Sequence, residues 1–359
     1  MKLSKMKNPP KTVRYDNGQS LPIDVVVLWV DGNDPVWREK KQKFLSPETT
    51  KEMVSGEQRY RDWGLLKYFF RGIEKFAPWA RKVHFVTDDQ WPDWLNHNAP
   101  KMGCVSHQDF IPLDRLPLFN SRAIEMHLHR IPDLAEHFVA FNDDMFLVRP
   151  VPPDFFFKNG EPVLFARFVP ILATNFGDPY DVARMNETAL LNRNFDAMKS
   201  VAASPQKWIF PWKCGGIGPA MWNFLLARWR RFTGFRDPHL PIPLLKSTFS
   251  AAWNAEPSAL EATARSRFRN SQSVSIRLFR DWQLAAGRFI PAGSLDLGQV
   301  YPINPTSIDT ICSAIEKSSH PVVCANDVQP LCPEEFSTLR CRLVNSFERI
   351  LPEKSSFEK

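Results

Sequence analysis

Ile23–Val30 (IDVVVLWV) is an apolar run rich in β-branched residues, preceded by Pro22 and followed by the polar stretch Asp31-Gly32-Asn33-Asp34-Pro35. Such a run, too short for a buried helix and interrupted only by Asp24, predicts a strand buried on both faces that ends in a polar loop. Val36–Phe44 then reads as a charged helix. Leu65, Leu66, Phe69, Phe70, Ile73 and Phe76 recur at helical spacing, with Asp62 as the expected N-cap and Pro78 as the stop. Lys82–Thr87 predicts a second buried strand, ending in Asp88-Asp89. Asn120-Ser121 is placed to cap a helix carrying Ile124, Leu128 and Ile131. Phe138–Phe141 predicts a third strand, which runs into Asn142-Asp143-Asp144.

Residues 150–235 are less periodic and contain a Lys213-Cys214-Gly215-Gly216 turn, and 243–287 read as mostly helical. The stretch 320–358 combines a short strand, Pro321–Ala325, with Asn326-Asp327 and a closing helix. Apolar strands separated by helices predict an α/β fold: a mostly parallel central sheet, flanking helices and a helical C-terminal part. Residues 1–21 are expected to be a flexible basic lead-in and 22–358 a single domain.

Composition narrows the function classes. With 359 residues, 43% of them hydrophobic, the chain can bury a core without disulfides, and its six cysteines show neither CxxC nor zinc spacing. No apolar run reaches the length of a membrane span, and the basic start lacks the apolar stretch of a secretory signal. A formal charge of +7 implies anionic partners. The basic residues are dispersed and no nucleic-acid motif is present, so nucleotide diphosphates, phosphorylated polymers and anionic lipid surfaces are the candidates. P-loop, GxGxxG and GxSxG signatures are absent.

Three groups of residues remain as candidates for chemistry. Carboxylates follow the apolar strands at Asp31 and Asp34, at Asp143 and Asp144, and at Asn326-Asp327. Hard oxygen ligands of this kind suit Mg²⁺ (or Mn²⁺) on a diphosphate, although acids at strand ends also serve as caps and turns. His239, set in Asp237-Pro238-His239-Leu240-Pro241 ahead of a predicted helix, has the titration range of a general base. A loop histidine bonded to backbone is the competing reading. Arg269, in Arg267-Phe268-Arg269, and the Arg59/Arg61 pair offer forked donors for phosphate oxygens; a solvated basic face is the competing reading for the first, pairing with Asp62 for the second.

Taken in order, these blocks resemble the conserved regions of the Stealth family of sugar-1-phosphate transferases. The resemblance runs from Ile23–Pro35 through Arg59-Tyr60-Arg61-Asp62, Val86-Thr87-Asp88, Phe119-Asn120-Ser121 and Phe141-Asn142-Asp143-Asp144. It continues with His239-Leu240-Pro241, Arg267-Phe268-Arg269 and Cys324-Ala325-Asn326-Asp327, and closes at Pro352–Glu358. The sequence departs from the family pattern at Leu28, before Trp29, and at Trp63-Gly64.

The resemblance implies that a carbohydrate hydroxyl attacks the phosphorus of a UDP-sugar and UMP leaves, in capsular or exopolysaccharide synthesis. It implies a metal at Asp143, Asp144, Asn326 and Asp327, a base at His239 and phosphate stabilisation by Arg269. Donor binding would involve Trp29, Asp31, Gly32, Asp34, Arg59, Arg61, Asp88 and Ser121, with Asp31 also serving the reaction. Residues 22–150 would form the nucleotide-sugar part and 151–358 the acceptor side. Such an enzyme is expected in the bacterial cytoplasm, with peripheral attachment to the inner membrane through its basic surface. A metal-dependent glycosyltransferase releasing UDP and a non-catalytic carbohydrate- or polyanion-binding protein stay open as alternatives.

Overall fold

The computed structural model describes residues 21–46, 60–172, 178–210, 212, 215–292 and 297–359. Arg59, Lys213, Cys214 and nearly all of the basic lead-in lie outside the described residues.

Along the chain run β1 (Ile23–Leu28), α1 (Pro35–Gln42), α2 (Leu66–Phe76), β2 (Val83–Thr87), β3 (Met102–Ser106), α3 (Ser121–Glu125), β4 (His137–Asn142) and β5 (Met145–Leu147). The second half adds α4 (Pro179–Asn194), α5 (Ala197–Ala203), α6 (Ile217–Ala227), β6 (Ile242–Leu245), α7 (Lys246–Ala255), α8 (Pro257–Ala264), α9 (Arg277–Ala285), β7 (Gly298–Pro302), α10 (Ile308–Glu316), β8 (Val322–Asn326) and α11 (Pro333–Ile350).

The central sheet has the order β3-β2-β1-β4-β6. All its pairings are parallel except β4 with β6, so the expected mostly parallel α/β fold is present. In β1, Ile23, Val25 and Val27 join one apolar cluster while Val26 joins the other, as the two-residue period of a strand requires. Asp24 is the exception in this core strand. It is fully buried and satisfied by Arg81 at 2.6 Å, His84 at 3.0 Å and the amide of Ala135 at 2.8 Å.

A second sheet, β7-β8-β5, stands beside the first. The chain passes from β4 to β5 through only Asp143 and Asp144, so this turn ties the two sheets together. Below it, α2 packs on α11: Tyr68 stacks on Phe347 with ring centroids 5.3 Å apart, and the Arg71 guanidinium grips both carboxylate oxygens of Glu358, each at 2.8 Å. Both side chains of that ion pair are buried.

Two sequence expectations need correction. Asp62 does not cap α2, whose N-cap is Leu65; its carboxylate instead accepts the amide of Gly64 at 2.9 Å. His239 precedes an antiparallel edge strand, β6, rather than a helix. The five described cysteines are free thiols, in keeping with a core built without disulfides.

Candidate functional site

In an open α/β sheet the strands' carboxyl ends define the ligand crevice. Here that crevice is a cavity of about 930 Å³ bounded by Trp29 after β1, Asp88 after β2, the Asn142–Asp144 turn after β4 and Asn326-Asp327 at the end of β8. Its other walls include Ser121 at the start of α3, His239 before β6, and Arg269.

The floor is acidic. Asp143 is open to the cavity yet ringed by protein, and burial together with the neighbouring Asp144 and Asp62 pushes its carboxyl up to about 7. Burial likewise raises Asp144, against the pull of His239, and raises Asp62, to which the charge of Asp31 adds. The Oδ1 atom of Asp144 is buried without a hydrogen-bond partner. Carboxyls held above their usual range with an oxygen unsatisfied are the donor set that a divalent cation fits.

His239 stands over this floor. Its backbone takes the left-handed value φ = 49°, and its amide donates to Oδ1 of Asp237 at 3.1 Å. Asp237 is itself fixed by Arg280 at 2.8 Å and Arg277 at 3.4 Å. Burial alone would raise this carboxyl, but the two guanidiniums outweigh it and hold Asp237 well below the usual range.

Oxygen, nitrogen and sulfur atoms of Asp144, His239 and Cys324 all lie within 4.8 Å of one another. Burial, and then the nearby Asp144, push the Cys324 thiol well above its ordinary range. The Cys324 side chain is hydrogen-bonded to Asp144. Of the three, Asp144 and His239 line the cavity.

The cavity also carries cationic side chains. A terminal nitrogen of Arg269 donates to Oγ of Ser121 at 2.8 Å, which joins two residues singled out from sequence. Arg61 pairs with Asp327 at 3.0 Å, and the Trp63 indole donates to the same carboxylate oxygen at 3.0 Å. Asp327 is thus occupied by protein donors at the cavity edge, with Asn326 beside it.

The loop after β1 acts one layer back. Gly32 has no room for a side chain, because an added Cβ would lie 2.1 Å from the Tyr60 carbonyl oxygen. Asp31 accepts the amide of Asn33 at 2.8 Å, and Asp34 caps α1 through the amide of Val36 at 2.9 Å. Neither carboxylate is among the groups bounding the cavity, whereas Trp29 is, and its indole bonds to Asp62. Asp88 lines the cavity but is paired with Lys40 at 2.7 Å.

Residues 21–46 match Stealth protein CR1, conserved region 1, and residues 59–164 match Stealth protein CR2, conserved region 2. The chain is 39% identical over 338 residues to the receptor polysaccharide phosphotransferase WefC of Streptococcus gordonii, covering 94% of this chain and 98% of that protein. The chain belongs to the Stealth family.

Other Stealth relatives agree along nearly the whole chain. The capsular polysaccharide phosphotransferase WcwK of Streptococcus pneumoniae is 38% identical across 94% of this chain and 99% of its own. The exopolysaccharide phosphotransferase cps2G of Lactiplantibacillus plantarum is 38% identical across 94% and 96%. Stealth membership makes this chain a transferase.

Sequence reasoning gave no site role to Asp62, Asp237, Glu125 or Cys324. Glu125 lies on the cavity wall, raised by burial and holding the amide of Ile276 at 2.8 Å. Its signal was available in the pattern: a carboxylate in a short helix flanked by Ala123, Ile124 and Met126, all buried, has a partner to find.

Proposed function

We propose that the chain transfers a sugar-1-phosphate from a UDP-sugar to a hydroxyl of an oligo- or polysaccharide acceptor in capsular or exopolysaccharide synthesis, at the cytoplasmic side of a bacterial membrane. The observation that carries this reading is the shared cavity in which His239 overlooks the Asp143–Asp144 turn while Arg269 lies on the same wall as Ser121. A base and a forked cation on one cavity suit attack by a hydroxyl on phosphorus.

In this reading His239 takes the proton of the acceptor hydroxyl as the new P–O bond forms. The phosphoanhydride bond to the nucleotide breaks and UMP departs. The anomeric C–O bond stays intact, so the sugar keeps its configuration inside a phosphodiester. Asp237, anchored by Arg277 and Arg280, holds the His239 backbone in place. Arg269 steadies charge on the transferring phosphoryl group.

A magnesium or manganese ion held by Asp143 and Asp144, with Asn326 in support, would supply positive charge to the diphosphate. Asp327 enters as the counter-charge that aims Arg61 at the donor. Trp29 and Ser121 would contact the nucleotide-sugar, with Asp31, Gly32, Asp34 and Asp88 supporting the loops that carry them. Arg59 belongs to the same proposed donor group. Residues 22–150 thereby form the donor part and 151–358 the acceptor side.

The test is nucleotide release by the purified protein with Mg²⁺, a panel of UDP-sugars and capsule-type oligosaccharides. Acceptor-dependent UMP, abolished by EDTA, is expected. Release of UDP would convert the reading to glycosyl transfer and overturn it.

A further inference from the structure

Helix α6 presents its apolar side to solvent. Ala220, Asn223, Leu226 and Ala227 face inward. The Asn223 amide donates to the carbonyls of Ala166 at 2.6 Å and Trp208 at 2.7 Å, and its oxygen accepts the amide of Phe168 at 2.8 Å. These three buried bonds fix the rotation of the helix about its axis. The outward face then carries Ile217, Met221, Trp222, Phe224 and Leu225, with Trp229 just beyond, each between 46% and 77% exposed. Residues at this spacing form one stripe rather than scattered single contacts, and a stripe of this kind marks an interaction surface.

Charge distinguishes among its partners. The segment from Ala197 to Arg236 contains seven lysines and arginines and no aspartate or glutamate. Arg228, Arg230 and Arg231 cluster where α6 ends, all exposed; Arg230 pairs with Asp196, just ahead of the segment, at 2.8 Å, and the Arg228 guanidinium lies 5.9 Å from the Phe224 ring. A second copy docked on this face would oppose two surfaces of the same positive sign. A bilayer bearing anionic headgroups meets both requirements at once, apolar depth for the rings and phosphates for the guanidiniums.

We propose that this face is a membrane-docking surface. Helix α6 lies in the plane of an anionic bilayer, with Trp222 and Trp229 at the boundary between headgroups and acyl chains and Arg228 and Arg231 on lipid phosphates. No described helix is long and apolar enough to cross a membrane, so attachment through this face is peripheral. The inference goes beyond the transfer reaction and does not depend on it, because lipid binding is read without nucleotide or acceptor.

The experiment is sedimentation of the full chain with vesicles of phosphatidylcholine alone and of phosphatidylcholine with phosphatidylglycerol, at low and high salt. Expected are partition onto the anionic vesicles, weakening with salt, and quenching of tryptophan emission by brominated acyl chains. Trp222→Ser with Trp229→Ser, and separately Arg228→Glu, should each lower the partition coefficient by about tenfold with unchanged thermal melts. A chain that stays in the supernatant at low salt, or variants that partition like the parent, would overturn the proposal. A dimer in light scattering that the tryptophan variant abolishes, without vesicle binding, would assign the face to a second copy and overturn it equally.

Discussion

The Nε2 atom of His239 stands 4.0 Å from Oδ2 of Asp144, although the two residues sit on different sheet-edge loops. That spacing is too long for a hydrogen bond, yet close enough for the carboxylate to stabilise an imidazolium as it forms. His239→Asn should therefore lower kcat by about 10²–10⁴-fold and leave KM for the donor nearly unchanged. Acceptor-dependent nucleotide release measures both constants, and a near-normal kcat would remove His239 from the base role.

Asp144 is assigned to the cation through its unsatisfied Oδ1 as well as its position. Asp144→Asn should raise the Mg²⁺ or Mn²⁺ concentration needed for half-activation by at least about tenfold. Direct Mn²⁺ titration of the nucleotide-free protein checks the same point without turnover. Equal Mn²⁺ affinity in the two proteins would sink the ligand assignment.

Arg61 and Asp327 form an ion pair whose side chains are 20% and 11% exposed. Asp327→Ala strands the guanidinium and should cost about 2–4 kcal/mol in urea unfolding, somewhat under the loss for a fully buried pair. Replacing both partners, as Arg61→Met with Asp327→Leu, should recover most of that loss. If Asp327→Ala left stability unchanged while abolishing metal activation, Asp327 would be a ligand rather than a counter-charge.

Three histidines weaken the fold in acid. Burial holds His107 down to about 4 and His129 to about 4, while burial with the charges of Arg115 and Arg130 holds His127 down to about 3. Each has a folded value below its unfolded one. The stability they contribute is present above pH 6.5 and is lost as pH falls toward 4, on the order of several kcal/mol together. Melting temperature should drop steeply across that window. His127→Gln, which keeps an acceptor for Arg115 but cannot protonate there, should flatten the slope; an unaltered slope would clear His127.

Gly32→Ala tests the loop after β1. The close approach to Tyr60 leaves the methyl nowhere to go, so the loop must shift, at a cost of about 1–3 kcal/mol. A thermal melt indistinguishable from the parent would show that the loop yields freely.

How much of this was legible in the sequence depended on whether local pattern or distant packing decided the outcome. β1, β2 and β4 are buried on both faces, and their continuous apolar runs identify them unaided. β3, with the sequence MGCVS, is short and contains glycine and serine, so nothing in it competes with a loop reading. β6 carries Pro243 and follows Pro241. A proline there demotes a strand by local rules, yet β6 is an edge strand, where a missing amide is tolerated.

The site divides along the same line. The acids after β4 stand out because a strand delivers them to the sheet edge. The approach of Cys324 and His239 to Asp144 joins three remote segments, and no local period encodes it. The ordered family blocks give site roles to Asp144 and His239 together, but none to Cys324. Asp237 was passed over for a different reason: its importance comes from Arg277 and Arg280, which lie one turn apart on a helix whose residues are all buried.

The grip of Arg71 on Glu358 spans 287 positions of sequence. A ribosome adding about 5–20 residues per second would need roughly 15–60 s to go from one partner to the other. Throughout that interval α2 has emerged without its arginine's counter-charge and without Phe347 to cover Tyr68. The packing around α2 therefore waits on Glu358 before it can finish folding, and a nascent chain stalled short of that residue is the form of this protein most in need of a chaperone.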